Sequence, residues 1–267
     1  MRRVGEVRIE TRDGVTRARL DRPEARNALS PAMVEGLQGA LDEAHAQRSR
    51  LLVLRGSSGT FCAGADLAHV LSLLGDRAGM DAYLDRINAF VDGLEEAPFA
   101  TLALVEGFAL AGGCEILLAC DISLAAADAR IGDRHLELGL LPGAGGSVRL
   151  ARALTAARCG YLLLSGEMID GRQAADWGLV SYAVPSEALD EVAEPLIERL
   201  GSRSGDALAG AKQLLRAARE GDFRSALEQE RQVFLELFEN SPDTSEGLRS
   251  FARKRTPRFG PRRGAPD

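Results

Sequence analysis

Between Phe99 and Ala127 the chain is almost continuously apolar, yet Glu106, Glu115 and Asp121 interrupt the run, and this stretch constrains the fold more than any other. A membrane helix would bury such acids in hydrocarbon at roughly 3 kcal/mol each. The run is therefore expected inside a water-soluble core, cut into short elements rather than crossing a bilayer. Leu102 to Val105 reads as one buried strand, and Leu51-Leu52-Val53-Leu54 as another. A parallel strand covered on both faces shows an unbroken apolar run where a half-exposed one alternates.

Upstream, Val7-Arg8-Ile9 and the run 15–20 are separated by Asp13-Gly14, which predicts a hairpin. Ser30-Pro31 supplies an N-cap and a first-turn proline, and Met33, Leu37 and Leu41 fall four apart on one face of the helix that follows. Strands alternating with helices point to an α/β core. Past Arg149 the pattern turns helical, near 149–154, 171–177, 186–200, 206–219, 223–240 and 244–254, and no strong strand run follows Tyr182-Ala183-Val184. The expected organisation is an α/β body over residues 1–195 and a helical appendage over 196–267, without a flexible linker between them.

A chain of 267 residues with 45% hydrophobic and 27% charged content is an ordinary globular protein. Its net charge of -6 disfavours nucleic acid or an anionic membrane as a partner. One basic cluster runs against that balance, with Arg249, Arg253, Lys254, Arg255, Arg258, Arg262 and Arg263 at the C-terminal end. Read alone, it is a solvated tail. Cys62, Cys114, Cys120 and Cys159 form no C-x-x-C pair and no zinc-like spacing, so they are expected reduced and without metal. The basic start Met1-Arg2-Arg3 leads into no apolar segment of the signal-peptide kind, and the expected location is cytoplasmic.

Two turns carry the chemistry. Phe61-Cys62-Ala63-Gly64-Ala65-Asp66-Leu67 and the segment from Gly107 to Glu115 each follow a buried strand and precede a helix. Such turns can leave backbone N–H groups unpaired at a helix N-terminus. Two that converge make an oxyanion hole, worth about 3 to 4 kcal/mol per donor in acyl chemistry; the plainer reading is that small residues let strand and helix pack closely. Glu115 follows the second turn, before Ile116-Leu117-Leu118-Ala119. A carboxylate there is either a structural cap or a general acid or base in a water-poor site. Pro142 to Arg149 forms a third glycine turn, preceded by Asp133-Arg134-His135-Leu136-Glu137-Leu138-Gly139. A lone histidine such as His135 is more often structural than functional. His45 falls on the polar side of its helix, and His69 could border a site.

Taken together and in order, residues 22–29 (Arg22-Pro23-Glu24-Ala25-Arg26-Asn27-Ala28-Leu29), 61–67, 107–115, 138–146 and the ending Phe251-Ala252-Arg253-Lys254-Arg255 resemble the enoyl-CoA hydratase/isomerase, or crotonase, family over nearly the whole chain. The resemblance implies a crotonase-like spiral of β-β-α units with a helical C-terminal trimerisation subdomain, assembled as a homotrimer or as a hexamer of two trimers. It implies an acyl-CoA thioester as substrate, with no cofactor beyond the coenzyme A that the substrate carries. By motif match, Ala65 and Gly112 supply the two oxyanion-hole N–H groups. Arg26 and Ala28 lie along the coenzyme, while Ala63, Asp66, Leu67 and Ala68 flank the thioester. Lys254 matches a basic residue that can approach the coenzyme's phosphates in a neighbouring subunit, which gives the basic tail an anionic partner.

The resemblance assigns Glu115 to the position whose carboxylate activates water for attack at Cβ of a 2-enoyl-CoA. The position of the second family glutamate, which delivers a proton to Cα, falls on His135. That exchange leaves several readings open. His135 can act as the proton donor beside Glu115. Alternatively, the chain carries out isomerisation, hydrolysis or decarboxylation of a specialised acyl-CoA, or binds acyl-CoA without turnover; nucleic-acid binding is the remaining, charge-disfavoured class. Glu137 lies two residues on and is expected to face away, since two helical positions rotate a side chain by about 200°. Ala111 stands where many relatives have glycine.

Overall fold

The computed structural model describes residues 1–260. A seven-stranded sheet runs in the order β1 (Arg2–Val4), β2 (Val7–Arg12), β3 (Val15–Leu20), β4 (Leu51–Gly56), β5 (Ala100–Val105), β7 (Ile122–Ala126) and β10 (Tyr182–Val184). A three-stranded sheet carries β6 (Phe108–Leu110), β8 (Arg130–Gly132) and β9 (Ile169–Asp170). Asp13 and Gly14 close the β2–β3 hairpin with positive φ of 52° and 77°, the backbone that a two-residue turn between twisted strands requires. From β3 onward the large sheet is parallel, so each step needs a crossover. Helix α1 (Pro31–Ala46) makes the first, with Ser30 Oγ accepting from Met33 N at 3.0 Å and Met33, Leu37 and Leu41 buried as their spacing predicts.

The unbroken apolar strands separate two cores. Leu52 and Leu54 of β4, with Ala103 and Val105 of β5, face the main core beneath α1 and α3 (Arg77–Glu96). Leu51, Val53, Leu102 and Leu104 face a second core closed by Leu189, Ala193 and Ile197 of α8 (Leu189–Gly201). Helix α8 crosses residue 195, so the sequence-expected boundary runs through an element that is packed on the sheet.

Helices α4 (Gly112–Ala119), α5 (Gly146–Ala153), α6 (Ala156–Ser165) and α7 (Gly171–Trp177) pack around the smaller sheet, and the short α2 (Leu67–Ser72) follows the first glycine turn. The C-terminal end is helical, as α9 (Gly205–Glu220), α10 (Phe223–Asn240) and α11 (Pro242–Ala252). Lys212 anchors α9 to the body. Its buried ammonium donates to the carbonyls of Leu94 (2.5 Å) and Phe99 (3.2 Å), at the end of α3 and before β5, and pairs with Asp121 at 2.8 Å. Carbonyls at a helix C-terminus lack intrahelical donors, and this cation supplies one. Periodicity alone did not separate α3, α6 or β7, nor the two- and three-residue strands of the smaller sheet, which are too short to show a period. Among the described residues no helix is long and apolar enough to cross a membrane.

Candidate active site

Both glycine turns leave the C-terminal ends of adjacent parallel strands, β4 and β5, and then run side by side. Phe61 N donates to Glu106 O, Cys62 N to Phe108 O and Leu110 N to Cys62 O, at 2.8 to 3.0 Å. On its other edge the first turn pairs with residues 26–29, through Ala63 N to Arg26 O at 3.1 Å, Leu29 N to Gly64 O at 2.8 Å and Asp66 N to Leu29 O at 3.4 Å. These are the bonds of a parallel bridge between Leu29 and Ala65, in which residues 64 and 66 face Leu29. Ala65 N–H must therefore point the other way.

That other side holds Gly112, the first residue of α4, whose N–H lies before the first intrahelical bond. A methyl built on Gly112 would sit 3.7 Å from Ala65 N, and one built on Gly64 would sit 3.4 Å from Gly112 N. The turns approach this closely because they carry almost no side chain at the crossing. Gly64 takes φ +99°, and a Cβ on Gly113 would come within 2.2 Å of Cys62 O. Ala111, the N-cap of α4, is held at φ 48°, ψ -117°, a backbone that suits glycine and strains alanine.

Glu115 rises from the first turn of α4 and is 3% exposed. Its Oε1 accepts two backbone hydrogen bonds from the third glycine turn, Ala144 N at 2.8 Å and Gly146 N at 2.9 Å. Oε2 accepts none from the described residues, and it is not a sealed atom: Arg50 Nε is the one fully buried side-chain polar atom without a partner among them. One carboxylate oxygen is thus fixed and the other left free. The turn that fixes it is itself tied down, by Arg149 to Ala144 O at 2.7 Å and by Asn88 to Gly143 O at 3.1 Å. Arg149 also grips Glu95 of α3 with two hydrogen bonds, at 2.9 and 2.6 Å.

His135 opens a 3-10 turn, His135–Leu138, just after β8. Its side chain is 12% exposed, and Nδ1 lies 3.0 Å from Oδ1 of Asp133, a carboxylate buried to 1%. A methyl on Gly146 would meet Asp133 Oδ2 and Glu115 Oε1, each at 3.1 Å, so this one glycine separates the two acids. Burial works to lower the pKa of His135, but the hydrogen bond to Asp133 and the charges of Asp133 and Glu115 outweigh it and raise the value above the usual 6.5. Glu137 turns to Arg134 and Gly166 instead, as its spacing predicts.

The remaining residues expected at the site divide into two sets. Arg26, at φ 51°, lays its guanidinium 5.2 Å from the centre of the Phe108 ring, and Ala28 is buried beside it. Asn27 pins this loop, accepting from Arg22 N and donating to Ser57 O and Thr60 O. Asp66 caps α2 by accepting from Ala68 N and His69 N, and its other oxygen meets Arg22 at 2.5 Å. The Arg22 hydrogen bond holds the Asp66 carboxyl below the usual range. Leu67 and Ala68 stand exposed at the start of α2, and His69 packs edge-on against Tyr83.

Lys254 is not brought to this cluster within one chain. It lies two residues past the end of α11, and Arg50, which precedes β4, binds the carbonyls of Phe259 and Gly260, so the tail passes the N-terminal ends of the strands whereas the turns leave their C-terminal ends. Arg262 and Arg263 lie outside the described residues.

Sequence reasoning did not assign Asp133, Arg149 or Asn88. The one available signal was Asp133 two residues before His135, the reach at which an aspartate can hydrogen-bond its own turn. Among the described residues no group of three or more His, Cys, Asp or Glu could hold a metal ion.

Comparison with known proteins places nearly the whole chain in one family. The sequence profile of the family described as Enoyl-CoA hydratase/isomerase matches residues 10–262. The 2,3-dehydroadipyl-CoA hydratase of Escherichia coli K12 is 36% identical over 263 residues, covering 96% of this chain and 99% of that protein. A probable enoyl-CoA hydratase of Rhizobium meliloti is 36% identical over 252 residues, covering 94% and 96%. In structure, an enoyl-CoA hydratase from Bacillus anthracis superposes with a TM-score of 0.89 at 30% identity, over 95% of this chain and 98% of that one.

Proposed function

This chain belongs to the enoyl-CoA hydratase/isomerase family, and on that premise we propose that it adds water across the double bond of a 2-enoyl-CoA. The observation that carries the reading is the close approach of the backbone at Ala65 and Gly112, with Glu115 in the helical turn that Gly112 opens and one of its carboxylate oxygens free. The thioester oxygen accepts from both amides, which stabilise the enolate as charge develops on it. Glu115 Oε2 takes a proton from water as its oxygen bonds to Cβ. His135, as imidazolium, gives a proton to Cα, and the enolate collapses to a 3-hydroxyacyl-CoA. Transfer of the proton from Glu115 back to His135 resets the site, so atoms and charge balance without a cofactor.

Arg26, Ala28, Ala63, Asp66, Leu67 and Ala68 serve binding in this proposal. Arg26, stacked on Phe108, presents a cation where the coenzyme would pass. Asp66 acts indirectly, since its oxygens are committed to the α2 cap and to Arg22. Lys254 acts across a subunit boundary. That role requires an assembly, and α10 supports one. It has no buried residue in the isolated chain, and Phe234 and Phe238 stack 6.1 Å apart on its exposed face. An exposed apolar helix face of this kind marks an interaction surface. We assign it to further copies of the chain, as a trimer or a pair of trimers; light scattering that finds a monomer would reject the assembly. A body that ends with α8 instead of at residue 195, a helical subdomain of α9, α10 and α11 beyond it, and a cytoplasmic location belong to the same proposal.

The test is loss of the conjugated enoyl-thioester absorbance with crotonyl-CoA and with a 2-enoyl-CoA that ends in a carboxylate, the latter suggested by the Escherichia coli relative. Hydration of either supports the reading. Silence with both, together with migration of a 3-enoyl double bond, would support isomerisation by Glu115 alone.

A further inference from the structure

Where the second family carboxylate is expected, the chain has assembled a pair. Asp133 is buried to 1%, and its Oδ1 faces His135 twice, at 3.0 Å from Nδ1 and 3.3 Å from the backbone N. An aspartate that receives both the ring and the amide of one histidine fixes where the ring sits and how it is turned. It also selects the tautomer, because a carboxylate only accepts and Nδ1 must then carry hydrogen. Nε2 has no hydrogen-bond partner among the described residues and is not sealed from solvent.

We infer that Asp133 is a positioning residue for the reaction, holding His135 by Nδ1–H so that Nε2 is the atom that delivers the proton to Cα. The inference rests on His135 as the acid of the proposed hydration and adds the device that makes a histidine serviceable there. Imidazole has two nitrogens, and an unheld ring presents either.

The groups around the ring fit this assignment. Asp133 lies on its own turn, and Glu115 reaches it from α4 across Gly146. The neighbouring Arg134 and Glu137 pair with one another, and Arg134 also donates to Gly166 O. Helix α6, packed on the turn, brings Cys159, and α4 brings Cys114, both with thiols pushed up by burial and by the Asp133 charge. Both carboxylates favour the imidazolium. The acid is therefore present below the raised His135 value and is lost as pH rises through it, which gives the rate an alkaline limb belonging to His135.

Three histidines make the ring directly observable by nitrogen-resolved NMR. In the wild-type protein, neutral His135 should carry its proton on Nδ1, with a titration midpoint above that of free imidazole; an Nε2–H tautomer would overturn the proposal without any variant. In Asp133→Asn the midpoint should move down, kcat should fall at least about tenfold with KM within about twofold, and the alkaline limb should move down in parallel. In a His135→Gln background the same change should cost no further kcat, because the two residues act as one unit. A midpoint or a rate profile unmoved by Asp133→Asn rejects the positioning role. Failure of the hydration reading shows separately, as absent wild-type turnover beside a ring that still titrates as described.

Discussion

Replacing Glu115 by glutamine and by alanine separates its two duties. The carboxylate holds the third glycine turn through Oε1, at 2.8 Å from Ala144 N and 2.9 Å from Gly146 N, while Oε2 is the oxygen proposed to take the proton. Glutamine keeps a carbonyl oxygen that can accept both hydrogen bonds, with an amide in place of the base. The fold should be unchanged, within about 1 kcal/mol, while kcat falls by at least a factor of about 100. Alanine removes the acceptor altogether. Two buried N–H groups then lose their partner at about 1 to 3 kcal/mol each, partly recovered by any water that enters, so a loss of roughly 2 to 4 kcal/mol is expected. In a chain of this size that lowers Tm by roughly 2 to 4 °C per kcal/mol. Thermal unfolding and steady-state turnover on the same preparations give both readings. Wild-type-like turnover in Glu115→Gln refutes the catalytic role. Equal stability of the two variants refutes the structural one, since the turn would then not depend on this oxygen.

Two further expectations concern the frame of the site. Ala111→Gly relieves about 1 to 3 kcal/mol of strain at φ 48°, ψ -117°, against roughly 0.5 to 1 kcal/mol lost to the freer unfolded chain, so the variant should gain about 1 kcal/mol; a lowered Tm would show that the backbone there is not strained. Lys212→Met strips the ammonium from the carbonyls of Leu94 and Phe99 and from Asp121, which keeps its two hydrogen bonds from Thr101, and should cost about 2 kcal/mol while loosening α9. Faster amide exchange confined to α9 and the end of α3 would accompany it, and an unchanged denaturation midpoint would reject the anchoring role.

Strands β2 to β5 and helices α1 and α8 to α11 could be read from the sequence because one physical rule governs each, whereas α3, the longest helix, and β7 were not read. An apolar run such as Leu51 to Leu54 has to be covered on both faces, and the two cores that share its alternate residues are that rule carried out. Ser30-Pro31 and Asp13-Gly14 are local signals whose geometry depends on almost nothing distant, and both formed as expected. The pieces that escaped are those whose form is set by partners far along the chain. Strands β8 and β9 form only by pairing with one another and, through β8, with β6, and two or three residues carry no period to detect.

The site divides in the same way. Glycine turns at a known spacing marked where the amides of Ala65 and Gly112 would be, yet which way the Ala65 amide points depends on Leu29 taking the far edge of the first turn, thirty-odd residues upstream. The exchange to His135 was visible as a letter, but its consequence was not. Whether a histidine can stand in for a carboxylic acid depends on what holds its ring, and that is decided by Asp133, kept beside Glu115 by a glycine at position 146 whose sequence context shows only a flexible turn. Larger residues at 146 would drive the two acids apart and release the ring together with the base. The chemistry of this family member therefore depends on the absence of a side chain at that point as much as on the two charged groups it separates.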